Sequence, residues 1–159
     1  MFENEYTMDR KLIKEYVLNI MSKRTIIMGM ILFILGFLLF WVEQDMIMKY
    51  TMLACAFLGI ISIFITPLTM INSFEKAAKR LNNGTIEKTK IVFNENIKMD
   101  EGKVHLEFEY SQIVKITLTK SFIFLELGNK SGILVLKAGF TKGTEEEFMS
   151  FIQEKITQE

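Results

Sequence analysis

Two stretches without a charged residue decide the fold: TIIMGMILFILGFLLFWV at Thr25–Val42 and MLACAFLGIISIFITPLTMI at Met52–Ile71. Each is about as long as the ~20 residues that a helix needs to cross a hydrocarbon layer about 30 Å thick. A helix in a soluble core rarely reaches that length without a polar face. The sequence therefore predicts a transmembrane helical hairpin over residues 25–71, with spans at 25–42 and 52–71 joined by the loop Glu43–Thr51.

Composition agrees with a membrane protein and excludes other classes. With 159 residues, 50% of them hydrophobic, and a net charge of +0, the chain is too apolar for a disordered or nucleic-acid-binding protein. We therefore expect no nucleic-acid partner, and the length allows one modest extramembrane domain. The single cysteine, Cys55, lies inside the second span, so no intrachain disulfide and no cysteine metal cluster are expected.

The orientation follows from the basic residues near the spans. Those outside the loop are Arg10, Lys11, Lys14, Lys23, Arg24, Lys76, Lys79 and Arg80. The loop holds only Lys49. Positive charge favours the cytoplasmic side, so both termini are expected in the cytoplasm, with the lipid bilayer as the first partner. Trp41 and Tyr50 are predicted interface anchors, because amphipathic rings favour the headgroup layer.

Small residues recur at helical spacing within the spans and predict close helix packing. They are Gly29 and Gly36 in the first span and Gly59, Ser62 and Thr66 in the second. Counting inward from the loop places Gly36 level with Gly59, and Gly29 level with Thr66. The alternative is that such residues are simply frequent in membrane helices. Neither span has an aspartate, glutamate, lysine, arginine or histidine that could line an ion or substrate path, which argues against transport.

Both flanks of the hairpin are predicted to be helical. Residues 1–24 form an N-terminal amphipathic helix in this interpretation, with Thr7 as its N-cap and an apolar stripe from Leu12 to Met21. That helix either lies on the membrane, packs on the soluble domain or continues into the first span. Residues 72–84 extend the second span into the cytoplasm and end at Gly84, which suits a left-handed helix terminus.

From Thr85 the apolar period becomes two, which predicts strands. They are placed at 86–93, 96–99, 103–109, 113–119, 122–127 and 132–137. Val104, Leu106 and Phe108 alternate with polar residues, so the third strand is expected to bury one face. Thr144 and Glu147 then form a capping box for a C-terminal helix whose apolar stripe is Phe148, Phe151, Ile152 and Ile156. The sequence thus predicts an α+β membrane protein whose residues 85–159 form a small antiparallel, pleckstrin-homology-like (PH-like) domain closed by an amphipathic helix.

Short segments in this region resemble a known family. They are Phe93–Ile97, Tyr110–Ile113, Lys115-Ile116, Lys137–Phe140 and Glu147-Phe148, in this order behind a two-helix anchor. Together they are similar to YcxB-like membrane proteins over nearly the whole chain. The sequence departs from the pattern at Leu136, where a proline is expected before the lysine. The resemblance implies a protein of the bacterial inner membrane with a cytosolic PH-like domain, in a family without an established biochemical activity.

Few residues in the soluble part suggest chemistry. His105, Glu107 and Glu109 share one strand face, but a metal site would need further ligands. A solvated face is the favoured interpretation of this alternation. Lys137 is either a phosphate contact or a surface lysine at a strand end. We treat these four residues as a candidate partner surface and expect no catalytic residue, no metal and no cofactor, because no nucleophile has a visible base and no phosphate-binding motif occurs.

The charge balance argues against binding of anionic lipid by the soluble domain. Residues 85–159 carry ten lysines and twelve acidic residues, a net charge of −2, without the usual basic cluster. We therefore expect a non-enzymatic, multi-pass protein of the bacterial inner membrane that presents a PH-like interaction module at the cytoplasmic face to a membrane or cytosolic protein. A second copy of the same chain, in a homo-oligomer, is a further candidate partner. The alternatives are an immunity protein against a bacteriocin and an accessory subunit of a transporter or sensor complex.

Overall fold

The computed structural model describes residues 1–81, 87–128 and 131–157 and divides the chain into two compact units. One unit combines Met1–Asp9 with Lys79–Glu159, and the other is Arg10–Ala78. The chain is an α+β protein with two long apolar helices and an antiparallel sheet region. The predicted helix end at Gly84 lies outside the described residues.

The helical unit contains three helices. Helix α1 is Arg10–Tyr16, a π-helical turn follows at Val17–Met21, α2 is Lys23–Val42, and α3 begins at Met46 and ends at Leu81. Both the side chain and the backbone N–H of Ser22 donate hydrogen bonds to the carbonyl of Val17, which separates the turn from α2. Helix α3 has 36 residues, about 54 Å at 1.5 Å per residue, so it is longer than a span requires.

The loop between the apolar helices is shorter than predicted. The expected loop, 43–51, is reduced to Glu43–Asp45, because Asp45 caps α3. Its carboxylate accepts hydrogen bonds from the backbone N–H groups of Ile47 (2.9 Å) and Met48 (3.0 Å). This cap satisfies free amides at the helix start and lets α3 begin six residues before the predicted span.

The described residues of the other unit form eight strands and one helix that begins and ends within the unit. The strands are β1 Phe2–Thr7, β2 Lys88–Phe93, β3 Ile97–Glu101, β4 Val104–Phe108, β5 Ile113–Leu118, β6 Phe122–Leu127, β7 Gly132–Leu136 and β8 Phe140–Lys142. They form a five-stranded sheet of order β4-β3-β2-β1-β8 and a three-stranded sheet of order β5-β6-β7, with antiparallel neighbours throughout. Helix α4, Glu145–Thr157, ends the described chain.

The prediction of a helix over residues 1–24 is wrong for its first part. Residues 2–7 form β1, which lies between β2 and β8, so α1, α2 and α3 are inserted in the sequence between two adjacent strands. Thr7 is therefore a strand residue and not an N-cap. Asn4 and Tyr6 point to the core and are buried. A strand this short, with an asparagine at a core position, has almost no period-two signal to separate it from a helix.

A second prediction fails at β4, which was expected to bury Val104, Leu106 and Phe108. Val104 and Leu106 are 38% and 43% exposed. The reason is the position of the strand: β4 is an edge of the five-stranded sheet and extends past the core that covers β2 and the start of β3. The glycine of the preceding turn behaves as predicted, since Gly102 has a φ of 56°.

The core is an aromatic cluster around Phe148 of α4. Its ring lies 4.7 Å from that of Phe93, 5.2 Å from Phe140 and 5.7 Å from Phe2. The capping box that starts α4 is confirmed: Glu147 N–H donates to Thr144 Oγ1 at 3.3 Å, and Thr144 N–H donates to Glu147 Oε2 at 3.1 Å. The cap fixes the start of α4, and Phe148 then joins both the first and the last strand to the sheet.

Candidate functional site

Two strands of the sheet region offer an unpaired edge lined with apolar side chains. Within the described chain, β4 pairs only with β3, and β5 pairs only with β6. The exposed apolar residues on these strands are Val104, Leu106, Val114 and Leu118. Unpaired edges present a row of backbone N–H and C=O groups that another strand can bind, and natural proteins usually cover or charge them. These edges are therefore candidate interaction surfaces.

The outer edge of β5 borders a groove against α4. The groove encloses about 350 Å³ and is lined by Ile113, Val114, Lys115 and Ile116 of β5 and by Gln153, Ile156 and Thr157 of α4. Val114 is 70% exposed and is the extra residue at a register shift between Ile113 and Lys115. A bulge of this kind turns a side chain outward and is common at sheet edges and binding sites. The groove thus combines an open strand edge with an apolar wall.

A second depression lies on the other side of Val114, between β4 and β5. It encloses about 410 Å³ and is lined by Glu107, Phe108, Ser111, Gln112, Val114, Leu127 and Gly128. Glu109 supports this corner, because its carboxylate accepts a hydrogen bond from Ser111 and its N–H donates to Gln112. Both depressions are open and shallow, a shape that fits a peptide segment better than an enclosed small molecule.

The structure keeps His105, Glu107 and Glu109 together and separates Lys137 from these other residues of the predicted partner surface. His105 and Glu107 lie on β4, and Glu109 follows that strand. His105 Nδ1 lies 2.6 Å from Asp100 Oδ1, while Glu107 accepts a hydrogen bond of 3.0 Å from Asn96. Lys137 follows β7 and precedes β8, at the opposite edge of the five-stranded sheet. Its Nζ lies 2.7 Å from Glu145 Oε1, so it serves as an ion-pair partner for α4.

The lysines of β2 also form ion pairs. Lys88 pairs with Glu5 of β1, and Lys90 Nζ lies 3.2 Å from Glu3 and 3.4 Å from Glu5. The hydrogen bond from Lys88 lowers the pKa of the Glu5 carboxyl, and the hydrogen bond to Glu3 raises the pKa of Lys90. These lysines are exposed but paired with carboxylates of the neighbouring strand, so they add little to a basic surface.

The predicted packing residues of the hairpin lie at the contact of α2 and α3, but in a different register. A Cβ on Gly59 would lie 2.7 Å from the carbonyl oxygen of Gly29, and a Cβ on Gly29 would lie 2.7 Å from Ser62 Oγ. Gly36 faces Met52, whose carbonyl oxygen would lie 2.8 Å from an added Cβ. The predicted pairing of Gly36 with Gly59 and of Gly29 with Thr66 is therefore wrong.

The register error has a simple cause. The prediction counted inward from a nine-residue loop, whereas α3 begins six residues earlier, and every level on that helix shifts accordingly. Thr66 is half-buried further along α3. At the loop end, Trp41 and Tyr50 are both exposed, as interfacial rings would be.

Asn4 is a structurally important residue that sequence reasoning missed. It is fully buried and bonds twice to the backbone of Leu136: its Nδ2 donates to the carbonyl at 2.7 Å, and its Oδ1 accepts from the N–H at 3.1 Å. These bonds connect β1 of one sheet to the end of β7 in the other. Leu136 has a φ of −74°, which a proline can adopt, so leucine at this position adds the N–H that Asn4 uses.

No metal-binding group is found among the described residues: no three histidine, cysteine, aspartate or glutamate side chains lie close enough to hold an ion. Every buried side-chain nitrogen or oxygen in the described ranges has a hydrogen-bond partner.

The fold and its open edges define a class, namely an α+β protein in which two apolar helices accompany a domain of two antiparallel sheets. Within that class, the family described as YcxB-like protein matches residues 92–152, from the end of β2 to the middle of α4. This match confirms the resemblance to the YcxB-like family over that segment. No curated protein and no solved structure matches the chain.

Proposed function

We propose that this protein is a two-span anchor of the bacterial cytoplasmic membrane that holds a PH-like, protein-binding domain at the cytoplasmic face. In this proposal the domain binds a partner and catalyses no reaction. The partner is a segment of a membrane or cytosolic protein that adds to the open edge of β5 and packs into the groove against α4.

The exposure of the helices supports the membrane part of the proposal. Only 11% of the most apolar window of Lys23–Val42, and 22% of that of Met46–Ala77, is buried within the chain. A core helix of a soluble protein would be mostly buried, and such an exposed apolar surface in water would favour aggregation. The basic residues that flank both helices support a cytoplasmic position for the domain.

The pairing of lysines supports a protein partner rather than an anionic membrane surface. Lys88 and Lys90 pair with acids of β1, Lys98 Nζ lies 3.9 Å from Glu107, and Lys137 pairs with Glu145. Attraction to an anionic leaflet is worth about 1 kcal/mol per basic residue near the surface, and paired lysines contribute less. With a net charge of −2 over residues 85–159, the domain has little to gain from lipid headgroups.

The open edge of β5 is the single observation on which the proposed binding site depends. It offers unpaired backbone groups, an outward-turned Val114 and an adjoining apolar wall from Ile156, which together match the requirements of strand addition. Main-chain hydrogen bonds would supply affinity, and the groove would select alternate side chains of the partner. The outer edge of β7 has fewer such features, since its central residues are buried.

A site-specific photo-crosslinker tests the proposal in intact cells. Placed at Val114, it should give a discrete adduct with one protein identified by mass spectrometry, whereas at Thr141, an exposed residue of β8 at the other side of the domain, it should not. A peptide copied from the crosslinked segment should bind the purified full chain, and Val114→Asp should weaken that binding. Adducts with lipid alone, or equal adducts at both positions, would contradict the proposal.

Orientation requires a separate measurement. A reporter that works only in the cytoplasm should be active when fused after the last residue and inactive when inserted next to Asp45. The opposite pattern would place the domain outside the cell and refute the cytoplasmic part of the proposal.

A further inference from the structure

We propose that the free edge of β4 binds β4 of a second copy of this chain, as an antiparallel pair centred on Leu106. The pairing would join two five-stranded sheets into one continuous sheet across a twofold axis. It uses a different surface from the β5 groove and does not depend on what that groove binds. We assign a second copy as the binding partner because two antiparallel β4 strands are complementary to each other in charge and in apolar contacts.

The backbone of β4 is arranged for such pairing. Glu101 and Val104 are register partners on either side of the two-residue turn Gly102-Lys103. In a turn of this type the two flanking residues hydrogen-bond to each other, and the direction of bonding then alternates along the strand. His105 and Glu107 therefore direct their N–H and C=O groups away from β3. Those groups lie at the open edge and can bond to another strand.

Charge selects one register. With Leu106 opposite itself, Lys103 lies opposite Glu109 of the second copy, and His105 lies opposite Glu107 of the second copy. Each pair occurs twice because of the twofold symmetry. Shifting the centre to Glu107 would place two glutamates opposite each other, where like charges are destabilising. Shifting it to His105 would place the two imidazoles opposite each other and remove the carboxylate partner of each. Among these three registers, only the one centred on Leu106 gives both Lys103 and His105 a glutamate as partner.

The polar face also continues across the pair. Within one copy, Lys98 is the register partner of Glu107, and Asp100 is the partner of His105. Across the proposed junction the order of side chains becomes Lys98, Glu107, then His105 and Asp100 of the second copy. Lys98 and Glu107 form a cross-strand pair of opposite charge, which stabilises a sheet, and each imidazole in the row lies between two carboxylates.

The apolar face gains cover at the same place. Val104 and Leu106 are exposed in the single chain and lie beside Glu101 and Met99 of β3, respectively, on the same face of the sheet. In the proposed register Leu106 meets Leu106 of the second copy at a non-hydrogen-bonded pair, where Cα atoms approach to about 4.5 Å. Val104 meets Phe108 of the second copy. The exposure of these side chains is then explained by an interface that a single chain leaves open.

Disulfide trapping tests the register in the full chain. In a Cys55→Ser background, Leu106→Cys should form a disulfide-linked dimer in native membranes on mild oxidation, because the Cα separation lies within the range that a disulfide accepts. Val104→Cys is the matched control on the same face. It should not be trapped, because four residues of strand separate the two copies of that position by about 13 Å. Equal trapping at both positions, or trapping at neither, would overturn the proposal.

Charge exchange tests the recognition. Lys103→Glu alone and Glu109→Lys alone each place like charges opposite each other and should weaken self-association in detergent about tenfold. A mixture of the two variants restores opposite charges at every position and should associate as well as the wild type. Failure of the mixture to recover, or a Leu106→Cys adduct with another protein in place of the dimer, would refute self-pairing. Recovery cannot come from misfolded variants, so it also controls for folding.

Discussion

Removing the helical unit while keeping β1 gives a sharp test of the architecture. Thr7 and Lys88 are register partners in adjacent antiparallel strands, so a four-residue loop such as Gly-Asn-Gly-Ser can join residues 1–7 directly to residues 88–159. The comparison is with residues 88–159 alone. We expect the joined chain to fold as a soluble domain and the shorter chain to remain unfolded.

The expected difference follows from what β1 contributes. Tyr6 is 6% exposed, and the ring of Phe2 lies 5.1 Å from that of Phe151. Deleting a buried aromatic side chain costs about 3–5 kcal/mol, less for the half-buried Phe2. The two hydrogen bonds of Asn4 add about 1 kcal/mol each. The sum, about 7 kcal/mol, is comparable with the whole stability of a small domain, which is about 5–15 kcal/mol.

Urea unfolding followed by far-UV circular dichroism measures the difference, and amide dispersion in NMR spectra reports whether either chain has a unique fold. The joined chain should show one cooperative transition, and the shorter chain should show none. If residues 88–159 unfold with the same midpoint as the joined chain, β1 is not part of the core and the reasoning fails. A joined chain without a transition would contradict it equally.

Three further changes probe single contacts. Gly59→Leu should destabilise the helix pair by about 1–3 kcal/mol in detergent, because its Cβ would press on the backbone of α2. Leu136→Pro should cost about 1–3 kcal/mol in urea unfolding of the joined chain, since it removes the N–H that Asn4 Oδ1 accepts from. Burial raises the pKa of Tyr110 to about 12, so absorbance at 295 nm should show its ionisation well above the ordinary value near 10. The folded state then holds that proton longer than the unfolded state, and stability should fall by roughly 2 kcal/mol as the pH rises from 10 to 12.

Each of these changes has a matched control. Leu38→Ile, on the exposed side of α2, should leave the helix pair unchanged. Leu136→Ile keeps the N–H and should cost much less than proline. Tyr110→Phe should remove the contribution of Tyr110 to the high-pH transition, whereas Tyr16, whose pKa burial also raises, keeps its own. Equal effects of a variant and its control would remove the corresponding argument.

Periodicity was sufficient to predict most of the sheet region. The six predicted strands are confirmed to within two residues at their described ends, and the capping box of Thr144 starts α4 as expected. These elements have signals that are local in sequence, either alternation or a cap. Such local patterns predict an element in any tertiary context, because a strand must bury one face and a helix must satisfy its end groups wherever the element lies.

The remaining features depend on contacts that are distant in sequence. The role of β1 is defined by strands more than 80 residues away, and the exposure of β4 results from its place at a sheet edge. No local sequence pattern predicts the role of β1 or the exposure of β4. Which residues of α2 and α3 face each other, such as Gly29 and Gly59, depends on the length of the loop between the helices. Asp45 sets that length, because it caps α3 at a position before the apolar run begins. The strands β4 and β5 could be predicted from the sequence, but their positions at the edges of the sheets could not, because the strand order depends on contacts that are distant in sequence.

The insertion of the helices between β1 and β2 has a consequence for assembly during synthesis. About 80 residues separate Thr7 from Lys88, and closing a loop of that length is entropically costly. Once the helical unit is formed, Arg10 lies 3.9 Å from Glu75, and the effective loop shrinks to about 15 residues, most of them between Glu75 and Lys88. The saving is about 1.5 kcal/mol, or roughly tenfold in the rate of encounter. Residues 2–7 therefore remain unpaired until β2 has been translated, and they complete the sheet only when β8 follows.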